Sequence, residues 1–221
     1  MLGKPIVLSD GAWGMPIADW SAEEESSGFW VSSDAGANWT RRGGATVPKL
    51  QRCFDEHYVV EMADGRLWCL SRTMCGPGES YSSDGGRTWT KMTRPWFNNP
   101  NSRMAVAKLR SGNVLIAKHG PMMPEWKPFP NRERLWVCIS KDDGRTWGWG
   151  RQFEIEPREC SYPDIAQGPD GTIYVVYDHG RTSAGEILFA SFREEDILNG
   201  DAKSPTVRLR RLVTKSCAPT E

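Results

Sequence analysis

The octapeptide SSDGGRTW at 82–89 returns as SSDAGANW at 32–39 and as SKDDGRTW at 140–147. A turn kept three times, each copy closing on tryptophan, confines the chain to a repeating architecture, because each copy needs the same flanking strands to hold it. A carboxylate two residues after a serine can accept hydrogen bonds from the amides of its own turn. Glycine supplies a positive φ, and the tryptophan can pack between neighbouring repeats. An Asp-x-Gly turn alone lacks the oxygen ligands of a calcium loop, so the octapeptide reads as a structural staple, and neither a metal site nor a cofactor is expected.

A second recurring unit interleaves with the first: a two-residue turn followed by a β-rich run, as in DGAWGMPIADW at 10, DGRLWCLSRT at 64, SGNVLIAKHG at 111 and DGTIYVVYDHG at 170. Each turn follows another short apolar run, so turn and flanks read as a β-hairpin, and the octapeptide lies one hairpin further on. Four antiparallel strands recurring roughly every 50 residues predict propeller blades. The blades are placed at about 1–50, 51–98, 99–155 and 156–213, and in the last of them FREEDILNG reads as a short helical turn where the octapeptide has been lost. The fold class expected is all-β, and 22 Gly, 15 Pro and 11 Trp agree with many short elements joined by tight turns.

With Lys+Arg and Asp+Glu both at 28, the chain offers no electrostatic footprint for a polyanion, and no nucleic-acid partner is expected. No apolar run approaches the roughly 20 residues of a membrane-spanning helix, and MLGKPIVLSDG lacks the charged and apolar regions of a secretory signal. Cysteines at 53, 69, 75, 138, 160 and 217 form no C-x-x-C pair and read as packing residues or incidental thiols, which leaves the compartment open.

Strand direction sorts the polar residues. The start of a blade's first strand, the end of its second and the start of its third share one face, and the octapeptides lie on the opposite one. The first face collects Glu56, His57 and Arg72 from the second blade. The third blade gives it Asn101, Arg103, His119 and Arg132, and the fourth gives Tyr162, Asp164, Asp178, His179 and Arg181. Titratable and fork-shaped groups gathered at one mouth are what a polar ligand requires, although strands lining a wet channel carry polar residues in any case.

S-x-D-x-G-x-T-W resembles the Asp box of sialidase-like proteins, with Asn38 where threonine is usual in the first copy. The resemblance covers almost the whole chain and implies a sialidase-type β-propeller, six-bladed in the family, with exo-α-sialidase activity on a glycan substrate. DEHYVVEMADGRLWCLSRT is similar to the strand pair that carries the catalytic glutamate and an arginine of the carboxylate-binding triad, which implies those roles for Glu56 and Arg72. NRERLWVCISKDDGRTW implies a second triad arginine at Arg132, and SYPDIAQGPDGTIYVVYD implies the nucleophile at Tyr162. Arg103, His57, Asp164 and His119 complete the expected substrate-binding set. The chemistry suits these types: a sialic acid bears a carboxylate on its anomeric carbon, so a neutral tyrosine relieved of its proton by a glutamate attacks where an anionic nucleophile would be repelled. Arginines hold the carboxylate through paired, charge-assisted bonds.

The R-I-P motif and acidic loop of the family's first blades have no counterpart in the sequence, and four blades fall short of six, so the chain is expected to be the C-terminal part of a longer protein. Uncovered blade faces would then invite self-association, and the chain by itself is expected to turn over sialosides poorly. His57 and Pro163 depart from many sialidases. Two other functions fit the same residues. One is an enzyme acting on uronic-acid linkages, with His57 or His119 as acid or base. The other is a propeller that binds glycans or proteins without turnover, for which the loop PMMPEWKPFPN at 121–131, with Trp126 and Phe129, would be a docking surface instead of a substrate lid.

Overall fold

The computed structural model describes residues 3–123, 131–148 and 150–216. Trp126 and Phe129 lie outside the described residues. In the first antiparallel sheet β1 (Ile6–Val7), β2 (Trp13–Ala18), β3 (Ser27–Ser32) and β4 (Thr40–Ala45) follow in chain order, and in the second β5 (His57–Glu61), β6 (Leu67–Thr73) and β7 (Gly76–Ser82) do the same. The third sheet holds β8 (Ala105–Lys108), β9 (Val114–His119), β10 (Leu135–Ser140) and β11 (Gln152–Glu156). The fourth holds β12 (Cys160–Gln167), β13 (Ile173–His179), β14 (Glu186–Phe192) and β15 (Arg208–Lys215), with helix α1 (Glu194–Leu198) between its last two strands. The first two sheets make one compact unit that ends at Trp96, and the other two make a second that starts at Phe97. Among the described residues no helix is long and apolar enough to cross a membrane.

The hairpin turns are built alike. Asp10, Asp64 and Asp170 each accept the amide two residues on, at 2.9, 3.1 and 3.1 Å, and Gly11, Gly65 and Gly171 take φ of 85°, 81° and 84°. Ser111 does the aspartate's work with its hydroxyl, 3.2 Å from the Asn113 amide.

The octapeptides follow the chemistry expected of them. Asp34, Asp84 and Asp142 accept the amides of Asn38, Thr88 and Thr146 at 2.9, 2.9 and 2.8 Å, while Ser32, Ser82 and Ser140 take the amides of Gly36, Gly86 and Gly144. Asn38 replaces the usual threonine without loss, since its side-chain amide reaches the second oxygen of Asp34 at 2.7 Å. Each tryptophan indole donates back to the glycine carbonyl three residues earlier. Trp89 meets the fully buried Phe29 edge-on at 6.1 Å, and Gly86 is required there: a Cβ would lie 2.5 Å from the Phe29 ring, on a backbone with φ of 93°. In the second unit Trp147 makes the corresponding edge contact with the buried Phe97 at 6.2 Å, and Phe153 meets Phe192 edge-on at 5.3 Å.

One expectation needs correction. The second sheet has three strands rather than four, and its last segment meets β7 through a bridge between Glu79 and Thr93 and through the Thr90 amide, which donates to the Tyr81 carbonyl at 2.8 Å. Side chains displace the ladder there: Thr90 Oγ1 takes the amide of Tyr81 at 3.0 Å, and the Ser80 hydroxyl donates to the Thr90 carbonyl at 2.6 Å.

The hydroxyl of Ser32 and the amide of Asn38 hold the Asp34 carboxyl down at about 2, from an ordinary 3.8, and the hydroxyl and amide of Thr88 push Asp84 lower still. Carboxylates whose pKa is depressed by folding contribute stability that is fully present above the unfolded value and lost as pH falls through the folded one. Thermal melts are therefore expected to drop as pH falls from about 4 toward 2. The Asp34→Asn/Asp84→Asn protein should start lower and fall less steeply; parallel pH profiles for the two proteins would remove these turns as the source of acid sensitivity.

Candidate functional site

In the second and fourth sheets the start of the first strand, the end of the second and the start of the third lie together, as Cys160, His179 and Glu186 do in the fourth. Glu56 precedes β5 and Arg72 lies near the end of β6, so antiparallel pairing brings them together: the guanidinium is 3.1 Å from the carboxylate, and the Arg72 amide donates to the Glu56 carbonyl at 2.8 Å. Both side chains are buried, and Arg72 stacks over Phe54 at 4.7 Å. Asp55, which delivers Glu56, has a φ of 50°, a left-handed backbone that costs a non-glycine residue about 1–2 kcal/mol. It is held there by Arg52, which lies 2.6 Å from its carboxylate and donates to the carbonyls of Ala22, Asp19 and Trp20. The other oxygen of Asp55 is buried with no hydrogen-bond partner among the described residues.

In the second unit Tyr162 sits in a β-bulge. Ser161 pairs with Asp178 and Asp164 with Val176, so β12 carries one residue more than β13 across this step, and Tyr162 takes a φ of 53°. Bulges re-aim side chains, and a bulky residue held left-handed is a marker of function. Two guanidiniums face its ring: Arg181 at 4.5 Å and Arg132 at 5.6 Å from the ring centre. Arg181 is anchored by Asp178 and by the Ser161 hydroxyl at 3.2 Å, and that hydroxyl donates to Asp178 at 2.7 Å. Arg132 donates to the Asn101 carbonyl at 3.3 Å. A ring flanked by two fixed cations is suited to meet an anionic sugar.

The remaining expected residues fall in different settings. His57 is buried with its ring nitrogens 2.9 Å from the carbonyls of Asp55 and Gly28, and burial holds its pKa below the ordinary value. His119 is also buried, between the Glu133 carbonyl at 3.0 Å and the Ser102 hydroxyl at 3.2 Å, and burial pushes it down to about 4. These contacts make each histidine an internal tie within its own unit, with both ring nitrogens engaged. Arg103 is half-buried ahead of β8, and Asp164, half-buried just past the bulge, accepts the Ile165 amide at 2.9 Å. Residue types alone gave no sign of Asp55 and Arg52 as the support of Glu56, since the only signal is an unusual backbone angle. Among the described residues no three His, Cys, Asp or Glu side chains are grouped to hold a metal ion.

Residues 1–175 match the BNR repeat-like domain. The chain is 24% identical over 195 residues to the anhydrosialidase of Macrobdella decora, and 28% identical over 161 residues to the sialidase of Micromonospora viridifaciens. These matches cover 80% and 67% of the chain but only 24% and 23% of those proteins, so it spans about a quarter of the curated relatives' length. Among solved structures, the intramolecular trans-sialidase of Ruminococcus gnavus, in complex with oseltamivir carboxylate, superimposes with a TM-score of 0.66 at 22% identity, over 88% of this chain and 43% of that one. At that identity the likeness shows the fold, a sialidase-type propeller represented here by four blades.

Proposed function

The chain belongs to the family of BNR repeat-like domains, in its sialidase-like branch, and on that premise we propose that it carries the nucleophile half of an exo-acting glycosidase that cleaves a terminal sialic acid or a related carboxylated sugar. Tyr162 is the nucleophile, Glu56 the base that receives its proton, and Arg72 and Arg132 two members of the clamp on the substrate carboxylate. In the first step the phenolic oxygen bonds to the anomeric carbon as the bond to the leaving oxygen breaks; in the second, water replaces tyrosine. Arg103 and Asp164 are proposed as further substrate contacts.

The observation that carries this reading is the bulge at Tyr162, which spends backbone strain to hold a tyrosine ring against Arg132 and Arg181. A reading in which His57 or His119 serves as acid or base for uronic-acid linkages draws less support, because both nitrogens of each ring are already engaged by the protein.

Binding tests the proposal without requiring turnover. The methyl α-glycoside of sialic acid should give saturation-transfer signals with the whole chain. Its carboxyl methyl ester should bind at least about tenfold more weakly, since each charge-assisted bond to the clamp contributes roughly 1.5–3 kcal/mol. The Arg132→Met protein should lose the preference. Equal binding of acid and ester, or stronger binding of a methyl glucuronide, would overturn the assignment.

A further inference from the structure

On the other face of the fourth sheet lies a cleft with a volume of about 570 Å3, lined by Glu156, Arg158, His179, Glu186, Arg210 and Leu212 among others. Consecutive strand residues point to opposite faces, so His179 opens onto this cleft while Asp178, beside it on β13, serves the Tyr162 cluster. The volume falls within the about 300–1,000 Å3 of small-molecule sites.

The cleft is built around a carboxylate. The side chain of Glu156 is only 5% exposed; it receives the Tyr177 hydroxyl at 3.4 Å and faces Arg210 at 3.5 Å. Arg210 reaches it from a second bulge. Phe189 pairs with Arg211 and Ser191 with Arg208, leaving an extra residue on β15, and Arg210 takes a φ of 53°. The sheet therefore accepts at Arg210 the same strained device that it uses at Tyr162. Across the cleft Glu186 is held by His179 at 3.1 Å and Lys215 at 3.3 Å. Leu188 and Leu212 add apolar surface between these groups.

We propose that this cleft is a second binding site, and that its ligand is an uncharged saccharide. Acceptors (Glu156, Glu186) and donors (Arg158, Arg210) line one cleft, and a ligand rich in hydroxyls, each both donor and acceptor, satisfies both sets. An anion would meet two carboxylates and a cation two guanidiniums. The leucines suit the C–H face of a sugar ring. The site does not depend on Tyr162 acting as a nucleophile.

Lactose, maltose and cellobiose titrated into the whole chain and followed by saturation-transfer NMR test it, with glucuronic acid and glucosamine as charged probes. At least one neutral disaccharide should bind saturably. Arg210→Ala and Glu186→Ala should each weaken it about tenfold or more, Leu212→Glu on the exposed strand should do the same, and Tyr162→Phe should leave it unchanged. Thermal melts identify a variant that fails to fold, in which case the other two decide. Absence of saturable binding by all three sugars, preference for a charged probe, or equal binding by the folded variants would overturn the proposal. Loss in Tyr162→Phe would also overturn it, by moving the ligand to the other face.

Discussion

Glu56→Gln is expected to lower the unfolding free energy by about 3–5 kcal/mol, a large part of the about 5–15 kcal/mol that holds an ordinary domain together. The amide keeps the shape of the glutamate but removes the charge 3.1 Å from an arginine that is only 3% exposed and so has little access to water. Stacking on Phe54 offsets only about 0.5–2 kcal/mol of that. A double variant, Glu56→Gln/Arg72→Met, removes both charges and keeps an apolar stem in place of the guanidinium, so it should recover most of the loss. Urea melts of the wild type, the two single variants and the double variant make the comparison. In 1 M salt the difference should persist, since a buried pair is poorly screened. A loss under about 1 kcal/mol, or a double variant no better than Glu56→Gln, would show that other groups neutralise Arg72.

The same pair shows what residue types reveal and what they conceal. A glutamate and an arginine sixteen positions apart, on either side of a DG turn, face each other once the hairpin forms, because antiparallel register is fixed by the turn. The octapeptides were legible for a related reason: serine, aspartate and glycine satisfy their own turn locally, so their geometry needs no tertiary context. The bulges at Tyr162 and Arg210, and the left-handed Asp55, were not legible. Tyrosine and arginine carry no general signal for positive φ and aspartate only a weak one, and Asp55 is held there by Arg52, itself fixed by the distant Ala22 carbonyl. Strand direction grouped His57 and His119 with the other polar residues but could not show that both nitrogens of each ring would be tied to the protein's own oxygens, which depends on packing. The missing strand of the second sheet is a similar case, in which Thr90 and Ser80 compete locally for ladder bonds that strand propensity alone would have granted.

Tyr162→Phe carries the other large effect. The phenylalanine keeps the ring, the bulge and the facing guanidiniums and loses only the hydroxyl, so stability should change by less than about 1 kcal/mol while covalent chemistry disappears. A 3-fluorosialosyl fluoride reads that chemistry directly. Its fluoride leaves without help from a general acid, so the labelling reports on the nucleophile and its base alone. The phenolic oxygen bonds to the anomeric carbon, the carbon–fluorine bond breaks, and Glu56 takes the phenol proton. The second fluorine withdraws electrons from the ring and slows attack by water on the product. Mass spectrometry of the digested protein should find the fluorosialosyl group on the peptide that contains Tyr162. The rate of labelling should fall on the order of a thousandfold or more in Tyr162→Phe, and substantially in Glu56→Gln. Glucuronosyl fluoride should leave the peptide unlabelled. Labelling that persists in Tyr162→Phe, or that lands on a carboxylate, would assign the nucleophile elsewhere and leave the strained bulge as a binding device alone.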